Sequence, residues 1–161
     1  MPLASGYPLR RTMQELIDFL SQYGYWGMTL SAFLAGSVFP FSSEAVLVAL
    51  QLAGLEPWPL LLSATAGNAA GSMFNYGLGR LGRMEWIERY AHVRRERVES
   101  TRRWLQGHGA WVGALCFLPV FGSVLSVTLG LMRANPYITA TAITAGKAAR
   151  YAIIIFVVSA I

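Results

Sequence analysis

Apolar residues fill this chain in blocks broken by prolines and by one basic stretch, and the block lengths predict the elements. Thr12–Tyr23 (TMQELIDFLSQY) sets Met13, Leu16, Ile17 and Leu20 on one face and Gln14, Glu15, Asp18 and Gln22 off it. That spacing predicts an N-terminal amphipathic helix lying at an interface. From Tyr25 to Val38 the chain is apolar or small; Phe39-Pro40-Phe41-Ser42-Ser43-Glu44 interrupts it, and apolar character resumes from Ala45 to Leu55. A helix over 25–38 rises only about 21 Å, short of a hydrocarbon core of roughly 30 Å. A kinked continuous helix and a re-entrant hairpin both fit, and the lengths favour the hairpin. Its tip would hold Pro40, which lacks a donor, and Ser42 and Ser43, which can satisfy the groups that proline frees. Glu44 would then lie deep in the membrane.

Pro57-Trp58-Pro59 turns the chain at an interface, and Leu60–Leu78 reads as a spanning helix. Its small residues, from Ala64 to Ser72, predict close packing at the centre of a bundle, with Asn68 and Asn75 as site residues or interhelical glue. A second apolar run, Ala110–Leu118, is again broken by a proline, Pro119, before Val120–Met132; this predicts a second hairpin with Pro119 and Gly122 at its tip. The final run, Pro136–Ile161, is long enough to cross a bilayer. It carries Lys147 and Arg150 one turn apart. Lys147 is about 16 Å from the start of that run and Arg150 about 16 Å from its end, too deep for easy snorkelling. Charges at that depth call for partners or a watery cavity.

Composition narrows the class. Of 161 residues 55% are hydrophobic and 13% charged, as in an integral membrane protein, and one domain accounts for the whole chain. The net charge of +5 would suggest nucleic acid, but eight of the 13 basic residues fall between Arg80 and Arg103. There they face Glu85, Glu88, Glu96 and Glu99, and the excess reads as a cytoplasmic loop by the positive-inside rule, with no nucleic-acid partner expected. The single Cys116 permits no internal disulfide, and His92 and His108 make no metal-ligand spacing. No metal, cofactor or enzymatic nucleophile with a base is implied.

Self-similarity adds an architecture. Thr65-Ala66-Gly67-Asn68-Ala69-Ala70-Gly71 matches Thr144-Ala145-Gly146-Lys147-Ala148-Ala149-Arg150, and Pro40 pairs with Pro119 and Pro57 with Pro136 at the same offset. Upstream, Gly24-Tyr25-Trp26 matches Gly109-Ala110-Trp111. The expected fold is therefore all-α: two inverted repeats, about 24–79 and 108–161, each a re-entrant hairpin plus one transmembrane helix, joined by the basic loop 80–107. Both chain ends would face outside, against which Arg10 and Arg11 argue mildly. The repeats differ chemically. Glu44 has Ser123 as its counterpart, while Lys147 and Arg150 stand where the first repeat has Asn68 and Gly71. Glu44 is thus expected to contact Lys147 or Arg150, either as part of a binding site or as a structural bridge.

The tip FPFSSEAVLVAL, the helix GNAAGSMFNYGLGR, the segment FLPVFGSVLSVTLGLMR and the closing GKAARY together resemble the DedA (SNARE-associated, VTT-domain) membrane family, its short YqaA-like bacterial branch in particular. The resemblance runs from Gly24 to Ile161. It implies opposed re-entrant hairpins, residence in the bacterial inner membrane as a multi-pass protein, and proton-dependent transport or flipping of lipids. Glu44 falls at or beside the family's acidic residue in the first hairpin, and Pro119 matches the proline of the second. Larger members carry arginines near that second proline, where this chain has Cys116 and Gly122; a second acidic residue is replaced in the region of Gly36 and Ser37.

The function expected is a transporter or scramblase of an anionic, phosphate-bearing lipid. Lys147, Arg150 and Asn68 would bind the head group, and Glu44 would couple to protons. The rival is a non-transporting assembly protein whose buried charges lock its helices. Membrane lipids are the expected partners, and homo-oligomerisation is left open.

Overall fold

The computed structural model describes residues 23–37, 42–90, 93–106, 112, 114–115 and 121–161. Among them are seven helices and no strand: α1 (23–37), α2 (Ser43–Leu52), α3 (Pro57–Arg80), α4 (Met84–Tyr90), α5 (Arg95–Leu105), α6 (Phe121–Leu131) and α7 (Pro136–Ser159). The amphipathic segment before Tyr23, and the tip prolines Pro40 and Pro119, lie outside the described residues.

Local chemistry explains the boundaries. The Ser42 side chain accepts from Ala45 N at 3.3 Å and starts α2. Prolines open α3 and α7, where a missing N–H costs nothing, and Asn135 Oδ1 accepts from Tyr137 N at 2.9 Å and Ile138 N at 3.3 Å. Gly54 takes a positive φ of 95° to turn α2 toward α3. α3 and α7 have 24 residues each, about 36 Å of helix, whereas α2 with 10 and α6 with 11 reach about 15 Å and 17 Å.

α3 is the centre. It packs against α6 and α7 along most of its length. Leu60 and Ala64 share an apolar cluster with Met28, Leu47, Tyr151 and Ile155, while Tyr76, further along α3, clusters with Leu125, Leu129 and Ile143. The Tyr76 hydroxyl donates to Ala134 O at 2.5 Å, just before α7. The start of α3 thus meets the end of α7, and the two long helices are antiparallel. Only glycine permits the closest crossings. A Cβ on Gly67 would strike the Thr29 carbonyl of α1, and one on Gly146 would strike the Ala114 carbonyl. Likewise Gly79 meets Val127 O, and Gly130 meets Tyr76 O.

α1 and α2 join at one end, where Gly24 lies against Leu50 and Leu55 and Glu56 N donates to Tyr25 Oη at 3.0 Å. The stretch expected as a polar loop is folded: Ile87, Val93 and Val98 are buried against Val124, Val127 and Leu131, so α4 and α5 cover α6. Three apolar residues spread through an arginine-rich stretch were enough to dock two short helices, a pattern too sparse to stand out beside the charges.

Large apolar side chains point outward: Leu30 on α1, Leu62 on α3, Ile153, Phe156 and Val157 on α7. Trp58 and Tyr137 are exposed at the starts of the antiparallel α3 and α7, hence at opposite ends. Apolar flanks with aromatic residues at both ends suit a lipid surrounding. Among the described residues, α7 is the helix both long and apolar enough to cross a membrane. α3 equals it in length, but its glycines, asparagines and serines lower its hydropathy; half of its residues are buried in the interior.

Candidate functional site

The polar side chains of the interior meet where α2 begins, at the middle of α3 and α7. On α7, Lys147 and Tyr151 are one turn apart on the row facing α3, 5% and 1% exposed. Lys147 Nζ donates to Asn68 Oδ1. Because lysine only donates, it fixes the Asn68 amide with its oxygen toward α7 and its nitrogen away. Asn68 Nδ2 donates to Tyr151 Oη at 2.6 Å, and Tyr151 Oη and Ser43 Oγ share a hydrogen bond of 2.8 Å. One chain of bonds therefore ties α7 to α3 and to the first turn of α2.

Beside it, Arg150 makes an ion pair with Glu44, their side chains 23% and 28% exposed. Glu44 Oε2 also accepts from Ser42 Oγ at 3.2 Å. The expected contact between Glu44 and a cation of the last helix is present, and arginine makes it. Sequence spacing put Lys147 and Arg150 together; the helix separates their tasks. Arg150 lies about 100° around from Tyr151, which turns it off α3 and onto α2.

Asn75, the second asparagine of α3, acts elsewhere: its Nδ2 donates to Ser37 O at 2.5 Å and Gly36 O at 3.2 Å, closing the carbonyls at the end of α1. Gly122 is buried on α6. Sequence reasoning passed over Tyr151 as a site residue. Its position one turn beyond Lys147 was the available signal, and its hydroxyl connects three elements.

An all-helical chain with apolar flanks, a membrane-length final helix and a buried ammonium at mid-helix is a helical membrane protein. Comparison with known proteins names the family. A model of the VTT domain matches residues 39–160, and the chain belongs to the VTT-domain (DedA) family. It is 35% identical over 140 residues to the Escherichia coli K12 "Inner membrane protein YqaA", covering 86% of this chain and 89% of that protein. An uncharacterised Haemophilus influenzae protein is 32% identical over 147 residues, 86% of this chain and 90% of its own length. A Lactococcus lactis "Alkaline phosphatase-like protein" is 26% identical over 132 residues, 73% of this chain and 62% of its own length. No solved structure matches.

Proposed function

We propose that the protein moves an anionic, phosphate-bearing lipid across the bacterial inner membrane, as a transporter or scramblase coupled to protons. Lys147, Arg150 and Asn68 hold the head group, and Glu44 is the proton-binding group and counter-charge. The observation that carries the reading is the buried Lys147 ammonium set on an amide, with Arg150 and Glu44 beside it, midway along two antiparallel helices. Within the hairpins and long helices the sequence supplies two deep cations and one deep carboxylate, an excess that suits an anion. Arginine offers a fork for phosphate oxygens and lysine a point charge.

Inverted repeats are part of the proposal, and several contacts support them. Asn68 touches Lys147, its own repeat counterpart at the offset of 79, as residues on a two-fold axis do. Gly67 approaches Thr29, and Gly146 approaches Ala114, in the register that aligns Gly24-Tyr25-Trp26 with Gly109-Ala110-Trp111. α1 and α2 meet at one end, and α2 covers less than half the length of α3, which suits a re-entrant hairpin with its tip at the site. The basic α4–α5 segment then lies on the cytoplasmic side. The relative named as an inner membrane protein supports that location. Only one carboxylate lies in the membrane segments, which speaks against a phosphatase despite the name of the Lactococcus relative.

The ion pair and the bonded Tyr151 chain also favour a second reading, in which the charges are structural and nothing is transported. Head-group flipping in liposomes decides between them. Glu44→Gln/Arg150→Gln removes carboxylate and fork together and leaves neither charge of this pair alone. A well-folded double variant that does not flip lipid is the expected result; wild-type flipping by it would make the charges glue.

A further inference from the structure

Distances along the two long helices, counted from the Asn68–Lys147 contact, set the depth of the bundle's ends. Asn68 and Lys147 stand at the middle of helices of 24 residues each. Arg80 ends α3 twelve residues beyond Asn68, a rise of about 18 Å. Pro136 opens α7 eleven residues before Lys147, about 16 Å away. Half of a hydrocarbon core is about 15 Å. The end of α3 and the turn before α7 therefore emerge together, at the level of the lipid phosphates on one face of the membrane. Tyr137, exposed in the first turn of α7, lies at the depth where aromatic side chains gather.

That corner joins two arginines. Arg80 Nη1 donates to Tyr76 Oη at 3.1 Å, and Tyr76 Oη donates to Ala134 O at 2.5 Å. The backbone of Arg80 also lies against Gly130. Arg80 is thus held at the turn that carries Arg133, and both arginines are exposed. Arg133 follows α6 with a φ of 53°, its N–H bonded to Gly130 O at 2.9 Å. Helices that end in this left-handed conformation usually do so on glycine, which takes it without strain. A charge serving topology alone could stand at a neighbouring position such as exposed Asn135, so an arginine at the strained one points to a use for its side chain there. Just beyond α3, Arg83 Cζ stacks 5.0 Å over the ring of exposed Trp86. From Arg80 to Arg103 eight arginines stand against four glutamates. Among the described residues the opposite end presents Glu56 before α3 and Ser159 at the close of α7, so the basic charge marks one leaflet.

We infer that Arg80 and Arg133 form a surface site for the phosphodiester of an anionic phospholipid in the leaflet on the side of α4 and α5. Two guanidinium groups brought to one corner repel each other, and a phosphate between them accepts from both forks. Tyr76 positions Arg80, and the left-handed turn positions Arg133. The arginine excess around the corner favours a lipid of net negative charge over a zwitterionic one. This lipid is a resident of one leaflet, about half a bilayer away from Lys147. The inference needs the membrane setting of the helices and is independent of lipid transport.

The test is binding of dioleoyl phosphatidylglycerol, against dioleoyl phosphatidylcholine, to the full-length protein in a neutral maltoside detergent, followed by native mass spectrometry. The wild type prefers phosphatidylglycerol. Arg133→Gly relieves the backbone, so it melts no lower than the wild type without lipid, yet it binds phosphatidylglycerol about fivefold more weakly, the worth of one basic residue at an anionic surface. Arg80→Gln weakens binding by a similar factor. Arg95→Gln, which removes the same charge from exposed α5 where Arg95 pairs with Glu99, leaves binding unchanged. Should Arg80→Gln fail to fold, Arg133→Gly decides alone. Wild-type affinity in Arg133→Gly overturns the site, as does an equal loss in Arg95→Gln, which would reduce the effect to diffuse charge. A preference lost in Lys147→Gln but kept in Arg133→Gly overturns it too, and assigns the bound lipid to the midplane. Free glycerol phosphate bound as tightly as phosphatidylglycerol would show a small-anion site and overturn the assignment to a lipid.

Discussion

α2 packs on the long helix α7 and α6 on the long helix α3, yet they hold on by different chemistry. α2 is attached by polar side chains: Ser43 to Tyr151, Glu44 to Arg150, Gln51 to Ile155 O and Ser159. α6 is attached by a backbone crossing at Gly79 and Gly130 and by buried Leu125 and Leu129, which cluster with Ala69 and Tyr76. Polar bonds can be exchanged singly for water or a head group, each at small net cost. A close-packed crossing has no such intermediate, because a small gap forfeits much of the dispersion energy at once. α2 is thus held by bonds that can be exchanged one at a time, and α6 by packing that cannot.

The sharpest way to break this contrast is at the α6 crossing. Gly130→Leu puts a side chain into the backbone of Tyr76 and Arg80, so the helices must separate, at a cost of about 3 kcal/mol or more. Gln51→Leu, the same residue type at the corresponding place on α2, should cost well under half of that, as it loses exchangeable bonds only. Unfolding in mixed micelles reads both; equal losses would erase the distinction.

Next in size is the ion pair. Arg150→Gln leaves Glu44 partly buried without its guanidinium and should cost about 2–3 kcal/mol, below the 3–5 typical of fully buried pairs because both side chains keep some exposure. Adding Glu44→Gln should recover at least half. A double variant no more stable than Arg150→Gln would show that the carboxylate was never strained by the loss.

The smallest effect sharpens the comparison within the site. Tyr151→Phe removes the hydroxyl that Asn68 and Ser43 share, for a loss of about 1–2 kcal/mol. Ser72→Ala deletes a hydroxyl with no partner among the described residues and should be neutral or slightly stabilising in lipid-free detergent. A loss from Ser72→Ala as large as that from Tyr151→Phe would mean that the two positions are bonded alike.

By itself the sequence determined the long final helix, the central small-residue helix and the placing of Lys147 and Arg150 one turn apart at the middle of the last helix. All of these follow from the length, period and spacing of apolar runs, which are local quantities. It did not disclose α4 and α5, whose docking depends on a few apolar residues finding α6. Nor could it say which cation meets Glu44, that Tyr151 joins three helices, or that Asn75 serves the end of α1 rather than the site. Those outcomes hang on the rotation and crossing of one helix against another, set where Gly67, Gly79, Gly130 and Gly146 let backbones touch. A rotation of about 100° separates Arg150 from Tyr151, and only the packed structure says which of them faces α3.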